Sequence, residues 1–531
     1  MHRRTKQRRA SDVQHEVDSG ALKGYGGAVQ QEDEYDVVVV GAGVSGIAAA
    51  HYLRSAQSDI KMCVIEKGPS VGGTWHYNRY PGAACDVPSH WYSFSFALNP
   101  FWSRRFSVQE EIQEYMEKVC ISEGLMPLIF FNTTVLSTTW NESAGAHDIL
   151  TTESIGAAGR CALRARFVIA GPGALSTPNV PTFAGMDKFK GPIFHSAQWD
   201  KSVALEGKRV GIIGTGCSSA QIVPALAPLV GNLVLFQRTP AWVSPRGDHG
   251  YHPLVVLAFA YLPGILWLYR MFLMVMHDLR YFAFIRPVHP VLQRYAAGAS
   301  SAHLASQVPE PQLRAQLTPQ YAFGCKRVII SDDFYPALTR SNVTLVTKPI
   351  TSVTASGIRV EGNEEHALDV LVLATGFDVV ASMDSLNVTG REGARMIRKE
   401  CDPATKKSSG AGAVNDSSSG NSTPDAYLGV ACPSYPNLFL MMGPNTGLGH
   451  SSMITMIEAQ ARFAAEAIAG ALGKRLHSIE VKREVCENYN RMLQKELLNN
   501  VWGGCQSWYN LQGVVSSKIP PSVHSLPTED E

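Results

Sequence analysis

With 531 residues, 45% hydrophobic and 18% charged side chains, the chain can bury a sizeable core and has the composition of an ordinary multidomain globular protein. A formal net charge of +1 excludes nucleic acid as a ligand held by bulk electrostatics. Ten cysteines with no CxxC pair and no metal-ligand spacing speak for a reduced set in a cytoplasmic setting, and against a disulfide framework, a dithiol reductase or a metal site.

The opening MHRRTKQRRA carries five basic side chains and no apolar core. Residues 1–34 therefore read as a disordered basic tail and not as a signal peptide. Next comes DVVVVGAGVSGIAAAHYLRSA, an apolar strand, a three-glycine turn and an alanine-rich helix. Here Gly41 permits the tight turn, Gly43 lets a pyrophosphate approach the backbone, and Gly46 allows close packing of helix on strand. The helix N-terminus then offers free N–H groups to the phosphates. Twenty residues after Gly46, the strand KMCVIE ends in Glu66, an acid placed to accept hydrogen bonds from a ribose diol.

The stretch GGTWHYNRYPGAACD, from Gly72 to Asp86, holds three glycines, a proline, three large aromatics and one acid. No buried helix or strand tolerates that mixture, so a loop shaped around a ligand is expected, with Gly73, Thr74 and Trp75 as contacts. After it, SVQEEIQEYMEKV predicts a helix started by a capping box, Ser107 with Glu110, and buried along Ile112, Tyr115, Met116 and Val119.

A second strand–turn–helix unit appears in GKRVGIIGTGCSSAQIVPALA, with Gly214 and Gly216 in place and Ser219 at the third position. Its second strand, NLVLFQRT, ends in Arg238 and Thr239, nineteen residues after Ser219 for the arginine. An acid there would repel a 2′-phosphate, whereas a guanidinium binds it with a bidentate fork. The two units thus predict FAD at the first and NADPH at the second.

Between Arg246 and Lys326 the chain turns strongly apolar. Residues 253–276 are long enough for a bilayer, but Pro263-Gly264 and Arg270 interrupt them. A helical lid over the substrate tunnel is the favoured expectation for the insertion at about 250–310, and a peripheral membrane contact through 253–276 is the alternative. LDVLVLATGFD, Leu368 to Asp378, is expected to carry the chain back into the first unit. Residues 401–425, rich in Ser, Gly and Asn, should form a flexible surface loop. The turn GPN at 443–445, with Asn445, should lie against the flavin ahead of a buried helix. The fold class is α/β: two Rossmann-like dinucleotide-binding domains, the second inserted in the first, with a helical insertion. The expected boundaries are 35–175 and 351–531 for the FAD domain and 176–350 for the NADPH domain.

These residues resemble the type I Baeyer–Villiger monooxygenases, within the class B flavoprotein monooxygenases, and most closely a subgroup acting on aryl and bulky ketones. Gly72, Gly73, Trp75, Tyr80, Pro81, Gly82 and Asp86 match that family's longer fingerprint. FKGPIFHSAQWD matches the shorter one at Phe189, Gly191, His195, Trp199 and Asp200, while Ser196 replaces the usual threonine. The resemblance implies an NADPH- and O2-dependent enzyme that makes an ester or lactone from a hydrophobic ketone by way of a flavin peroxide. It implies Arg327 as the cation that keeps that peroxide ionised, Asp86 as the acid that positions Arg327, and Lys326 as a second contact for the NADPH phosphate. His195 and Trp199 are implied as positioning residues. Ser196 points to a rival, the flavin-containing monooxygenases that oxidise nitrogen or sulfur. A non-catalytic FAD-binding redox protein is a third reading.

Overall fold

The computed structural model describes residues 34–152, 160–283, 289–396 and 425–504. The expected basic tail, and all of the expected flexible loop except Asp425, lie outside them.

The four consecutive valines of the strand Glu34–Val40 explain the first sheet. Val37, Val38 and Val39 are fully buried, as a parallel strand covered on both faces must be. That strand pairs in parallel with Met62–Ile65 on one side and Arg160–Ala170 on the other. The whole sheet runs Val388–Thr389, Val135–Asn141, Ala146–Thr152, Arg160–Ala170, Glu34–Val40, Met62–Ile65, Ile129–Phe130, with Leu438–Leu440 also paired to Arg160–Ala170. Two helices, Val44–Ala56 and Met453–Gly473, share its core through small side chains such as Ala48, Ala49, Ala461 and Ala464.

A second sheet is parallel throughout, in the order Val343–Val346, Asn232–Phe236, Arg209–Ile213, Val370–Leu373, Ile193–His195. A three-stranded antiparallel sheet, Ile350–Val353, Gly357–Val360 and Glu365–Ala367, fills the crossover before its last strand. In chain order the first sheet is left at residue 170, the second occupies 193–373, and the first resumes at 388. One unit is nested in the other.

Two local expectations need correction. Val370–Leu373 does not return to the first unit; Leu373 pairs with both Ile213 and His195, so the second unit runs past the expected boundary at 350. A doubly buried parallel strand reads the same in either sheet, because its partners are not encoded in its own residues. The return comes a few residues later. There 177–179 and 375–378 lie side by side, with Asn179 N–H donating to Gly376 (2.9 Å) and Asp378 N–H to Thr177 (2.8 Å). The capping box is also absent: the helix is Gln109–Ser122 with Val108 as its cap. Ser107 is taken instead by Ser89, through Oγ–Oγ at 2.7 Å and Ser107 N–H to Ser89 Oγ at 2.8 Å. The predicted stripe Ile112, Tyr115, Met116 and Val119 is buried.

The apolar insertion forms helices Pro253–Tyr261, Ile265–Asp278, His289–Gln307 and Pro311–Leu317. The first two meet at 107°, turning on Gly264 at φ +81°, a conformation that suits glycine. Arg270 points inward and clamps the insertion to the first unit. Its Nη1 donates to His90 O and Ser93 Oγ, both at 2.9 Å, and its guanidinium lies over the Trp91 ring.

Candidate functional site

The first glycine turn has the geometry its spacing requires. Gly41 sits at φ +94°, and a Cβ on Gly46 would overlap the Gly41 carbonyl oxygen. Gly43 caps the helix Val44–Ala56 with no side-chain cap, so the first N–H groups of that helix are left for an anion. A Cβ on Gly73, itself at φ +53°, would come within 2.9 Å of Gly43 Cα, so the loop after Gly72 is pressed onto the phosphate turn. Glu66 is buried and already accepts from Ala42 N–H at 2.7 Å and Gly68 N–H at 2.8 Å. Its remaining lone pairs are the ones a ribose diol would use. This cradle fits a dinucleotide such as FAD.

The fingerprint loop is shaped on both sides. Trp75 is buried, donates from Nε1 to Tyr92 Oη at 3.0 Å, and has its carbonyl held by Gln109. Thr74 opens the short helix Thr74–Tyr77. The Tyr80 hydroxyl donates to Gln221 Oε1 at 2.9 Å in the second unit. Gln221 Nε2 returns a bond to Ala84 O at 2.9 Å, and a Cβ on Gly82 would stand 2.6 Å from the Gln221 carbonyl oxygen. The loop therefore ends wedged against the helix Cys217–Leu226.

At that wedge Asp86 meets Arg327. Oδ2 of Asp86 accepts from Arg327 Nη2 at 2.6 Å and from Nε at 3.2 Å, and Nη1 reaches the Leu448 carbonyl at 3.3 Å. Both side chains keep 27% of their surface exposed, so the pair is fixed yet open to a ligand. Burial pushes the Asp86 carboxyl upward, but the charge and hydrogen bonds of Arg327 outweigh it and hold the group below its ordinary value. The Cys217 thiol lies against the same pair; burial and Asp86 push it up to about 11, with Arg327 opposing. Arg246 adds a second guanidinium, donating to Cys85 O at 3.1 Å. Cys325, in the same turn as Arg327, is disulfide-bonded, which corrects the reading of the cysteines as a wholly reduced set.

The second nucleotide unit matches the first with one substitution resolved. Gly214 stands at φ +110° and Gly216 caps its helix with open space where a Cβ would go. Ser219 is fully buried and donates from Oγ to Gly214 O at 2.6 Å, bridging a gap that glycine closes in the first unit. Thr239 supplies its carbonyl to Thr215 Oγ1 at 3.0 Å, tying the strand end to the turn. Arg238 is exposed, and Lys326 is near enough that burial, and then the Arg238 charge, lower its pKa. Two cations close enough for one charge to act on the other suit a phosphate, so this unit fits NADPH. Adjacent residues thus meet different partners: the Lys326 ammonium lies over the Tyr321 ring at 4.9 Å, and Arg327 bonds Asp86.

Asn445 lies at φ +64° in the loop that supplies the Leu448 carbonyl. His195 is buried, its Nδ1 accepting from Ala197 N–H at 3.1 Å, and its ring lies 5.8 Å from that of Phe377. Burial holds its pKa below the usual value. Trp199 packs edge-on to Phe194 at 5.0 Å. His195 sits where the chain passes back to the first unit, and Trp199 packs on the same cluster as Tyr80 and Cys217. Gln221, Cys217, Arg246 and Leu448 are neighbours of the pair that sequence reasoning missed. Only Cys217 had a local signal, as the residue following Gly216.

A chain from Pseudomonas aeruginosa named Baeyer-Villiger monooxygenase is 39% identical over 481 residues, covering 89% of this chain and 85% of its own. This chain belongs to the Baeyer–Villiger monooxygenases. The sequence model of the flavin-binding monooxygenase-like family matches residues 34–263 of the monooxygenase. Among solved structures, cyclohexanone monooxygenase from Rhodococcus sp. Phi1 bound to NADP+ aligns with TM-score 0.77 at 28% identity, covering 92% of this chain and 95% of that one. A complex of OTEMO with FAD and NADP aligns with TM-score 0.75 at 26% identity, covering 90% and 92%. The monooxygenase is FAD-dependent and uses NADPH.

Proposed function

We propose that the monooxygenase converts a hydrophobic ketone to an ester or lactone at the junction of its two units, with Arg327 as the catalytic cation and Asp86 as the group that fixes it. Bound FAD, once reduced by NADPH, would supply activated dioxygen, of which one atom would enter the product and the other leave as water. The protein's part is to hold its own groups in place around that chemistry. Gly41, Gly43, Gly46, Glu66, Gly73, Thr74, Trp75 and Asn445 hold FAD; Gly214, Gly216, Ser219, Arg238, Thr239 and Lys326 hold NADPH. Arg327 presents a charge that persists at any working pH. A preorganised cation in a partly dry site stabilises developing negative charge with little reorganisation. His195 and Trp199 position the second unit through the crossover at 375–378 and the packing beside it.

The observation that carries this reading is the two-point Asp86–Arg327 contact, at 2.6 and 3.2 Å, between residues 241 apart in sequence. Ser196, the feature that favoured heteroatom oxidation, is 1% exposed beside His195 and serves the scaffold. The test is Arg327→Ala with a panel of aryl, steroid-like and polyketide ketones alongside thioethers. Ester formation should fall by about 10²-fold or more while flavin reduction by NADPH persists. Undiminished ester formation, or oxidation of thioethers alone, would overturn the proposal.

A further inference from the structure

The helix Ile265–Asp278 is inside out. Its buried positions are Arg270, Leu273 and His277, spaced three and four residues apart as one helical face. The other side shows Leu268 at 57% exposure, Phe272 at 57% and Val275 at 49%. A helix bordering water places its polar residues outward; this one turns an arginine and a histidine inward and aliphatic side chains outward. The preceding helix Pro253–Tyr261 is apolar on every side, with Phe259 buried and Leu254 at 68% and Tyr261 at 75% exposure, and the bend at 262–264 is exposed throughout. Of the 24 large hydrophobics exposed among the described residues, 16 fall between Leu254 and Tyr295, which makes this a patch and not a scatter.

Charge narrows the occupant. From His252 to Val308 the sequence holds a single acid, Asp278, and its carboxylate accepts from Ser451 Oγ at 3.1 Å. Among the described residues, the exposed cations beside the patch are Arg280 and Arg294. An apolar surface with Tyr261, Trp267 and Tyr295 among its members and arginines at its margin complements anionic headgroups over acyl chains. A second copy of the chain would set the same cations against these. Among the described residues no single helix is long and apolar enough to cross a membrane, and the two apolar helices are bent by 107°, a shape for shallow insertion.

We propose that the helical hairpin 253–282 docks the monooxygenase on an anionic lipid surface, its bend and the outer faces of both helices entering the headgroup–acyl boundary. Arg270 fixes the hairpin to the first unit through His90 and Ser93. Its far end meets the loop at 448–452 through Asp278–Ser451 and through the Tyr281 and His450 rings, 5.1 Å apart. The docked face is thus continuous with the loop whose Leu448 carbonyl holds Arg327, a relation to catalysis that rests on the function proposed for that pair; the docking itself does not.

The experiment is co-sedimentation of the full-length, FAD-loaded protein with vesicles of phosphatidylcholine and phosphatidylserine in equal parts, and of phosphatidylcholine alone. Binding should be firm to the mixed vesicles and weaker to the neutral ones. The triple variant Trp267→Glu, Leu268→Glu, Phe272→Glu should lose about tenfold or more in bound fraction, with flavin absorbance and melting temperature unchanged. Leu254→Glu is the milder second variant should the triple fail to fold. Met492→Glu, equally exposed elsewhere, should bind as the parent does, and so should Arg327→Ala, which separates docking from catalysis. Absence of parent binding to the mixed vesicles, equal binding by parent and Leu254→Glu or triple variant, or a parent dimer that the triple variant dissolves without vesicle binding, would overturn the proposal.

Discussion

Replacing Asp86 by Ala tests the site at its narrowest point. Arg327 would lose two hydrogen bonds, at 2.6 and 3.2 Å, and keep the Leu448 carbonyl at 3.3 Å as its remaining acceptor of those three. Hydrogen bonds to charged groups contribute about 1.5–3 kcal/mol each. The two share one carboxylate oxygen and both partners are 27% exposed, so a total loss of about 2–3 kcal/mol is expected. Expressed as stability, that is a lower melting temperature. Expressed as position, a guanidinium displaced by an ångström costs roughly 10²-fold in the step it serves. The assay is the ratio of ester formed to NADPH consumed, with hydrogen peroxide measured in parallel. Asp86→Ala should shift that ratio strongly toward peroxide, and Asp86→Asn, which keeps an acceptor without the charge, should fall between. A ratio unchanged in Asp86→Ala would refute the reasoning, since the acid would then be holding nothing the reaction needs. The folded-state pKa of Asp86 is depressed, so its contribution is present above the unfolded carboxylate range and is lost as pH falls through the folded value. The ratio should therefore show no Asp86-dependent change near neutrality.

Three further outcomes are expected. Arg238→Ala, and to a lesser degree Lys326→Ala, should raise KM for NADPH by about 10–100-fold while leaving that for NADH within a few-fold, because only the 2′-phosphate loses its partner. Gly46→Ala should yield protein without bound flavin, measured by flavin absorbance, because the added Cβ would overlap the Gly41 carbonyl. Arg270→Ala should lower the melting temperature, through a loss of about 2–4 kcal/mol, and leave KM for NADPH unchanged.

Much of this was legible because glycine spacing encodes backbone conformation directly. Gly41 and Gly214 take the positive φ their motif demands, and the strands before them are buried valines and isoleucines of the kind a parallel sheet covered on both faces favours. Asp86 was reachable through a fingerprint and Arg327 only through the family resemblance, since nothing local tells an acid after Pro-Gly from an ordinary turn residue, or a Lys-Arg pair from a solvated edge. What was not legible depended on partners far along the chain. Val370–Leu373 could not announce which sheet it joins. Tyr80 could not announce that Gln221 awaits it 141 residues on. Ser107 looked like a cap until Ser89 claimed it. Arg270 looked like a break in an apolar run, and its burial against His90 and Trp91 is a tertiary fact.

The two crossings between the units run side by side, bonded to one another at 2.8 and 2.9 Å. A body hung on a paired ribbon of this kind turns about one line and resists sliding or twisting. Arg327 belongs to the nested unit and Asp86 to the frame, so the function proposed for their pair depends on how the two bodies meet and not on either sheet alone.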